Sequence, residues 1–195
     1  MQPAINFPRQ LFTGPESLEK LGAVIAPLGR RVLVAADPAL HDGPTVRTLL
    51  SLLQSAGMEA LVFDELPPHC TTWHVDTLTS MARASRTQII LGLGGMRIQS
   101  VARIAAALAP TRLSVADLVR GKSPDQQPLP FVEVLSSVRH HSLFTRSVVL
   151  ANGDTRQPAV LELPVGLVHA AVLDPALAVS IPARTSALAA LDALL

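Results

Sequence analysis

Residues 87–108 read TQIILGLGGMRIQSVARIAAAL, and this stretch decides the fold. Its apolar run 89–93 is typical of a strand that is buried on both faces of a sheet. Glycines stand at the end of this run, and apolar residues then recur at helical spacing, at Ile98, Val101, Ala102, Ala105 and Leu108. A strand, a glycine turn and a helix in this order can form a phosphate site, because the helix start offers N–H groups to an anion. The pattern also fits a tight turn without a ligand, since the glycines do not follow G-x-G-x-x-G.

The composition indicates one globular domain. The chain has 195 residues, 49% of them hydrophobic, a formal net charge of +1 and a mean hydropathy of +0.38. These values exclude a disordered chain. The sequence has no basic stripe, so we do not expect it to bind nucleic acid. Cys70 is the single cysteine, which excludes a disulfide framework and a cysteine-based zinc site within one chain. Because no apolar run reaches membrane-spanning length and the first residues do not resemble a signal peptide, we expect a cytoplasmic protein.

Strand-like and helix-like patterns alternate along the first hundred residues. Buried-strand patterns cover Arg31–Ala36 and 89–93, and a second strand is predicted between them at Glu59–Phe63. Helical patterns separate these strands, and a further strand is predicted at Phe131–Leu135. This alternation predicts an α/β fold. We expect a doubly wound, mostly parallel, Rossmann-like sheet with right-handed crossovers and helices on both faces.

The N-terminal residues give weaker signals. Residues 5–13 are predicted to form a short strand pair that Pro8 breaks. A single helix is expected to begin after Gly14 and to end at Pro27.

A β-hairpin and a terminal helix are predicted in the second half. Strand patterns over 144–150 and 159–163 flank an Asn-Gly pair at 152–153, which is a strong hairpin signal. An alanine- and leucine-rich helix is predicted over 183–195. Because this helix is apolar on nearly every side, we expect a homo-oligomer or a second helical domain to cover it.

Four segments carry a resemblance to a known family. They are LFTGPESLEKLGAVIAPLGRRVLVAADPAL at 11–40, LGLGGMRIQSVARIAAALA at 91–109, PLPFVEVLSSVRHHS at 128–142 and AAVLDPALAVSIPARTSALAALDAL at 170–194. In order and spacing they resemble the N-terminal domain of the iron-containing, group III alcohol dehydrogenases, over essentially the whole chain. The resemblance implies that residues 1–182 form the dehydroquinate-synthase-like, nucleotide-binding α/β domain. It also implies that residues 183–195 are the truncated start of a helical metal-binding domain.

The resemblance implies an NAD site at the glycine turn. The cofactor-binding residues that it implies are Asp37, Gly94, Gly95, Arg97, Arg103, Ser136 and Ser137. Asp37 either bonds a ribose 2′-hydroxyl and excludes NADP or forms an Asp-Pro turn. Ser136 and Ser137 either bond the cofactor or cap a turn.

The glycine turn departs from the family's Gly-Gly-Gly-Ser pattern. Met96 replaces the third glycine, Arg97 the serine and Ser100 a following aspartate, whereas Arg103 keeps the charge of the usual lysine. Bulky side chains near the pyrophosphate disfavour tight nucleotide binding, while Arg97 can pair with a phosphate directly.

The resemblance also implies a divalent iron or zinc ion bound by one aspartate and three histidines. Asp192 matches the aspartate, and the family's other ligands belong to its helical second domain. His140 and His141 could suggest a metal pair, but we do not expect them to chelate one ion together, because adjacent residues of a strand point to opposite faces. We therefore expect that the isolated chain neither holds the metal nor oxidises alcohols.

Two functions remain open. In the first, the chain is the nucleotide-binding half of an NAD-dependent, metal-dependent oxidoreductase that acts on a small alcohol or aldehyde. In the second, it is a non-catalytic nucleotide-binding or protein-interaction module. Cys70 is interpreted as a loop thiol rather than a nucleophile, because its one basic neighbour in sequence is His69.

Overall fold

The computed structural model describes residues 5–41, 43–67, 70–136 and 143–179, together with Ala183, Arg184, Ala187 and Leu191. The strands are β1 (Gln10–Thr13), β2 (Arg31–Ala36), β3 (Glu59–Phe63), β4 (Ile89–Gly94), β5 (Phe131–Leu135), β6 (Ser147–Ala151), β7 (Pro158–Glu162) and β8 (Val168–Leu173). The helices are α1 (Leu21–Ile25), α2 (Pro44–Ser55), α3 (Thr72–Ala84), α4 (Met96–Leu108), α5 (Val115–Val119) and α6 (Pro175–Val179).

Six strands form one parallel sheet in the order β1-β8-β5-β4-β2-β3. From β2 the chain moves outward to β3 and then returns to the other side of β2 as β4. In open α/β sheets such a reversal creates a crevice at the carboxyl ends of the two strands, where ligands bind. Strands β6 and β7 form a separate antiparallel hairpin.

Each face of the sheet packs against its own helices. Alternate side chains of a strand point to opposite faces, so Leu33 joins one core and Val34 the other. Helices α3, α4 and α5 and the hairpin cover the first face, and α1 and α2 cover the second. Every residue of α4 from Ile98 to Leu108 is buried, so this helix is held on all sides.

The parallel, doubly wound sheet that the sequence predicts is confirmed. Strands β2, β3 and β5 have the predicted bounds, and β4 extends one residue further, through Gly94. The hairpin is also present, although β6 and β7 are displaced from the predicted ranges. Its turn is closed by the Asn152 side chain, which accepts hydrogen bonds from the backbone N–H groups of Asp154 and Thr155.

Two predictions for the N-terminal residues are wrong. Residues 5–9 form no strand, and β1 is a single strand that pairs in parallel with β8. Pro8 has no N–H to give to a ladder, which limits pairing before β1. The single helix expected between Gly14 and Pro27 is instead α1 with a 3-10 turn on either side, Ser17–Lys20 and Ala26–Leu28.

The C-terminal helix is described at four positions only. Ala183, Arg184, Ala187 and Leu191 are helical and exposed, and the other residues of the predicted helix lie outside the described residues. None of the helices in the described parts of the chain has the length and apolar character needed to cross a membrane.

Candidate functional site

Three connections meet at the carboxyl edge of the sheet, beside the crevice between β2 and β4. Asp37 follows β2, Gly94 and Gly95 end β4, and Ser136 follows β5. The Asp37 N–H donates a hydrogen bond to the Leu93 carbonyl at 2.9 Å, and the Ser136 N–H donates to the Gly94 carbonyl at 3.4 Å. Four of the predicted cofactor-binding residues therefore lie together.

The two glycines of the turn have different surroundings. Gly94 has a φ of +148°, and a Cβ atom there would lie 3.0 Å from the Cβ of Asp37 and 3.1 Å from Cγ1 of Ile98. Gly95 is the N-cap of α4 and supplies no side-chain cap, and a Cβ atom there would meet no atom within 4 Å. The space beside Gly95 at the start of α4 is therefore open, and a helix start of this kind can donate N–H groups to an anion. The N–H groups of Ile98 and Gln99 already donate to the Gly95 carbonyl, at 3.1 and 3.2 Å.

Gln99 supports the turn from beneath, and the sequence reasoning missed it. Its buried side-chain Nε2 donates to the carbonyls of Gly92, Gly94 and Val134, at 3.0, 3.2 and 3.1 Å. A Cβ atom at Gly92 would lie 2.2 Å from Oε1 of Gln99, so the position of the Gln99 amide requires a glycine at residue 92. A buried amide in an otherwise apolar helix pattern is the signal that could have found this contact.

Arg97 forms an ion pair with Asp37 across the turn. The Nη2 of Arg97 lies 3.5 Å from Oδ2 of Asp37, and the two side chains are 37% and 21% exposed. The other carboxylate oxygen of Asp37 accepts a hydrogen bond from the Ala39 N–H at 3.1 Å. Asp37 is thus a turn former, as one alternative predicted, and its carboxylate also remains accessible at the crevice.

An open cleft of about 360 Å³ lies between the first turn of α4 and the hairpin. The lining side chains are those of Cys70, Met96, Arg97, Ser100, Val149, Leu150, Ala151, Arg156 and Pro158. Burial raises the pKa of the Cys70 thiol, Arg97 opposes that shift, and Asp37 adds to it. The thiol is therefore protonated at neutral pH, which agrees with a loop thiol rather than a nucleophile.

Arg103 lies apart from the glycine turn, in the second half of α4, and its side chain packs between the helix and the sheet. Its buried guanidinium forms an ion pair with Glu133 of β5 and donates to the carbonyls of Leu143 and Thr145. Burial raises the pKa of the Glu133 carboxyl, and Arg103 opposes that shift. In this structure Arg103 thus joins α4 to β5 and to the segment before β6.

The remaining predicted residues lie outside the described residues. They are Ser137, Asp192, His69, His140 and His141. Among the residues that the structure does describe, no group of three or more His, Cys, Asp or Glu side chains is arranged to hold a metal ion.

Three histidines of the described segments have other surroundings. His41 contacts Asp64, and His74 completes the capping box at the start of α3 with Thr71. Burial lowers the pKa of His169 on β8, and the nearby Arg9 lowers it further. None of the three points to a shared metal site.

Comparison with known protein families and curated sequences gives a consistent result. A family model described as iron-containing alcohol dehydrogenase matches residues 8–175. The chain is 28% identical over 194 residues to long-chain-alcohol dehydrogenase 1 of Geobacillus thermodenitrificans, a match that covers 97% of this chain. It is also 28% identical over 192 residues to 1,3-propanediol dehydrogenase of Klebsiella pneumoniae, covering 96% of this chain. Each match covers 49% of the relative, so the chain spans about half the length of the curated relatives it matches.

Solved structures show the same fold. A 1,3-propanediol oxidoreductase superposes with a TM-score of 0.88 at 25% identity, covering 100% of this chain and 51% of that one. The NADH-dependent butanol dehydrogenase A of Thermotoga maritima superposes with a TM-score of 0.87 at 20% identity, covering 98% of this chain and 49% of that one.

Proposed function

The chain belongs to the iron-containing alcohol dehydrogenase family, and we propose that its α/β domain binds a nicotinamide adenine dinucleotide at the carboxyl edge of the sheet. The observation that carries the proposal is the start of α4. There Gly95 leaves open space above N–H groups that have no side-chain cap. A pyrophosphate fits this arrangement because it is anionic and needs close approach to the backbone.

The proposed contacts follow from the positions of the residues around the crevice. The pyrophosphate accepts hydrogen bonds from the N–H groups after Gly95, and Asp37 accepts hydrogen bonds from the adenosine ribose. Ser136 contributes a hydroxyl group from the end of β5. The resemblance assigns the same role to Ser137, which lies outside the described residues. Arg103 supports the site indirectly by holding α4 against β5, because its guanidinium is buried against Glu133.

For the whole family member we propose hydride transfer between NAD and a small alcohol or aldehyde. When bound, an iron or zinc ion would polarise the alcohol oxygen. Among the described residues no cluster of metal ligands fits that ion, and Asp192, the one ligand that the resemblance implies in this chain, lies outside them. We therefore propose that the 195-residue chain binds the dinucleotide in the cytoplasm, as a single chain or as a homo-oligomer. We propose that it does not catalyse hydride transfer to or from an alcohol.

A protein-interaction module that does not bind the dinucleotide is the second candidate. It is favoured by the side chains of Met96 and Arg97, which line the cleft at the first turn of α4. Weak or absent dinucleotide binding would favour an interaction module, whereas binding without turnover would favour the nucleotide-binding domain.

The test is calorimetric titration of the 195-residue chain with NAD, together with metal analysis and an NAD-reduction assay with short-chain alcohols. We expect NAD binding without stoichiometric metal and without turnover. The Gly95→Ser variant should weaken NAD binding by about tenfold or more, because the serine caps the N–H groups that the pyrophosphate needs.

Glu59→Ala is the matched control, since Glu59 is exposed at the opposite, amino-terminal end of β3. It should leave NAD binding unchanged. Equal binding by the wild type and Gly95→Ser would contradict the proposed site. Turnover that is lost in Asp192→Ala would show that the chain holds a working metal site.

A further inference from the structure

The ion pair between Arg97 and Asp37 lies where the adenosine ribose would bind if the proposed function is correct. We propose that Arg97 makes this site accept a ribose 2′-phosphate, so that the chain binds NADP as well as NAD. The inference rests on the proposed dinucleotide site, and it names Arg97 as the residue that sets the choice of coenzyme.

An isolated aspartate at the end of β2 would select NAD. Its carboxylate accepts hydrogen bonds from a ribose hydroxyl but repels a 2′-phosphate of the same charge sign. In this chain the Nη2 of Arg97 lies 3.5 Å from Oδ2 of Asp37, so the carboxylate is paired with a positive charge. The repulsion that would exclude NADP is therefore offset before any ligand binds.

The geometry of the pair allows Arg97 to turn to a phosphate. Charge-assisted N–H···O bonds are usually about 2.7–2.9 Å long, so the 3.5 Å contact is a loose one. The Arg97 side chain as a whole is 37% exposed at the cleft, so an incoming phosphate can approach it. Arginine also presents several N–H donors in one plane and can contact a carboxylate and a phosphate together.

Other groups hold the two charges in position. Asp37 is fixed by the hydrogen bond from the Ala39 N–H and by its own N–H, which donates to the Leu93 carbonyl. Arg97 lies in the first turn of α4, whose next residues are buried. Arg156 of the hairpin turn lines the same cleft as Arg97 and adds a second positive charge on that side.

The alternative is a purely structural ion pair that joins α4 to the end of β2. Exposed pairs of this kind contribute roughly 0–1 kcal/mol to stability and have no preference between two coenzymes. The two roles are separated by comparing ligands with and without the 2′-phosphate.

The experiment titrates the 195-residue chain with NAD and NADP, and with adenosine 5′-monophosphate and adenosine 2′,5′-bisphosphate, at low and high salt. We expect the wild-type dissociation constants for NADP and NAD to agree within about tenfold. Arg97→Ser should weaken the binding of NADP and of the bisphosphate by about 10- to 100-fold more than the binding of NAD and of the monophosphate. This is the effect that loss of a charge-assisted hydrogen bond predicts. Asp37→Asn should strengthen the binding of NADP relative to that of NAD. High salt should reduce the effects of both substitutions.

Arg120→Ser is the matched control. Arg120 forms a similar exposed pair with Asp117, with 3.6 Å between Nη1 and Oδ1, so the variant removes the same charge outside the site. It should leave the ratio of the NADP and NAD constants unchanged.

The outcomes separate this inference from the proposed function. Binding of NAD with rejection of NADP overturns the role of Arg97 and leaves the dinucleotide site intact. An Arg97→Ser variant in which the ratio of the NADP and NAD dissociation constants is unchanged does the same, whether or not its melting temperature falls. Failure of the wild type to bind any of the four ligands overturns both proposals.

Discussion

At the scale of the residue, Gly94 and Gly95 meet different requirements although they are adjacent. Gly94 has a positive φ and is crowded by Asp37 and Ile98, so the fold itself requires a glycine there. Gly95 has a φ of −81° and open space around its Cα hydrogens, so the fold tolerates a side chain. The stability of the turn and its capacity to bind a ligand can therefore be tested separately.

Gly94→Ala should lower the free energy of unfolding by about 1–3 kcal/mol, because the new Cβ is strained by the positive φ and by the Asp37 side chain. Urea denaturation measures the change. Gly95→Ser is the control and should alter stability by roughly 0.3 kcal/mol or less, since serine is a good N-cap residue. Equal losses in both variants would contradict this distinction.

Cys70 should react slowly with iodoacetamide at pH 8 in the folded chain and much faster in the urea-unfolded chain. The thiol is only 6% exposed, and burial raises its pKa, so less thiolate is present in the folded state at this pH. Mass spectrometry of the single cysteine measures both rates. Folded and unfolded rates that agree within about twofold would show that the thiol is accessible and ionised.

At the scale of the element, α4 is joined to β5 by a buried ion pair. Arg103 contacts Glu133 on the face of the sheet that α4 covers, and both side chains are almost fully buried. Burying two charges is costly, but leaving one of them without its partner costs more. The pair therefore makes the position of α4, and hence of the glycine turn at its start, sensitive to either partner.

Arg103→Met should destabilise the chain by about 3–5 kcal/mol at pH 7, because it leaves the Glu133 carboxyl buried without its cation. The defect should shrink at acid pH. Burial raises the folded-state pKa of the Glu133 carboxyl above its ordinary value of 4.5. At low pH the carboxyl is neutral, and the fold tolerates it without a cation. The free energy of unfolding of the variant therefore falls as the pH rises through the folded-state pKa. Denaturation curves between pH 4 and pH 8 measure this slope.

The double variant Arg103→Met with Glu133→Gln is the control for the ion pair. It removes both charges, so it should recover part of the stability lost at pH 7 and should abolish the added pH dependence. A single variant whose stability deficit is independent of pH would show that Glu133 is not the group left uncompensated.

At the scale of the whole molecule, the parallel sheet brings the ends of β2, β4 and β5 to one edge, and the hairpin closes the side of the cleft. The terminal helix is a separate feature. Leu191 is 59% exposed on it, in a stretch rich in alanine and leucine. An apolar helix of this kind needs cover, so a homo-oligomer stays a prediction.

Sedimentation of the 195-residue chain should detect a dimer or a larger assembly, and Leu191→Asp should shift the distribution toward monomer by charging the exposed helix. Arg184→Ala, a change at another exposed position of the same helix, should leave the distribution nearly unchanged. A wild-type chain that stays monomeric at high concentration would contradict the prediction.

The sequence by itself determined the parallel sheet and the location of the glycine turn. The buried strands β2, β4 and β5 have apolar runs, and helices have a regular apolar period, so these elements could be read from local patterns. The edge strand β3 is mostly exposed, and its place follows from the strand–helix alternation around it. The Asn-Gly hairpin signal is also local in this sense, because its two residues are adjacent in the chain. The family resemblance rests on the order and spacing of four segments along the whole chain, which the sequence also shows directly.

Only the tertiary structure decided which distant residues meet. The pairing of β1 with β8, of Arg97 with Asp37 and of Arg103 with Glu133 joins residues far apart in sequence, and no local period encodes such a partner. Gln99 is the same case, since its amide spans carbonyls of β4 and β5. A buried polar side chain signals that a partner exists, but the packing of the elements determines which atom it is.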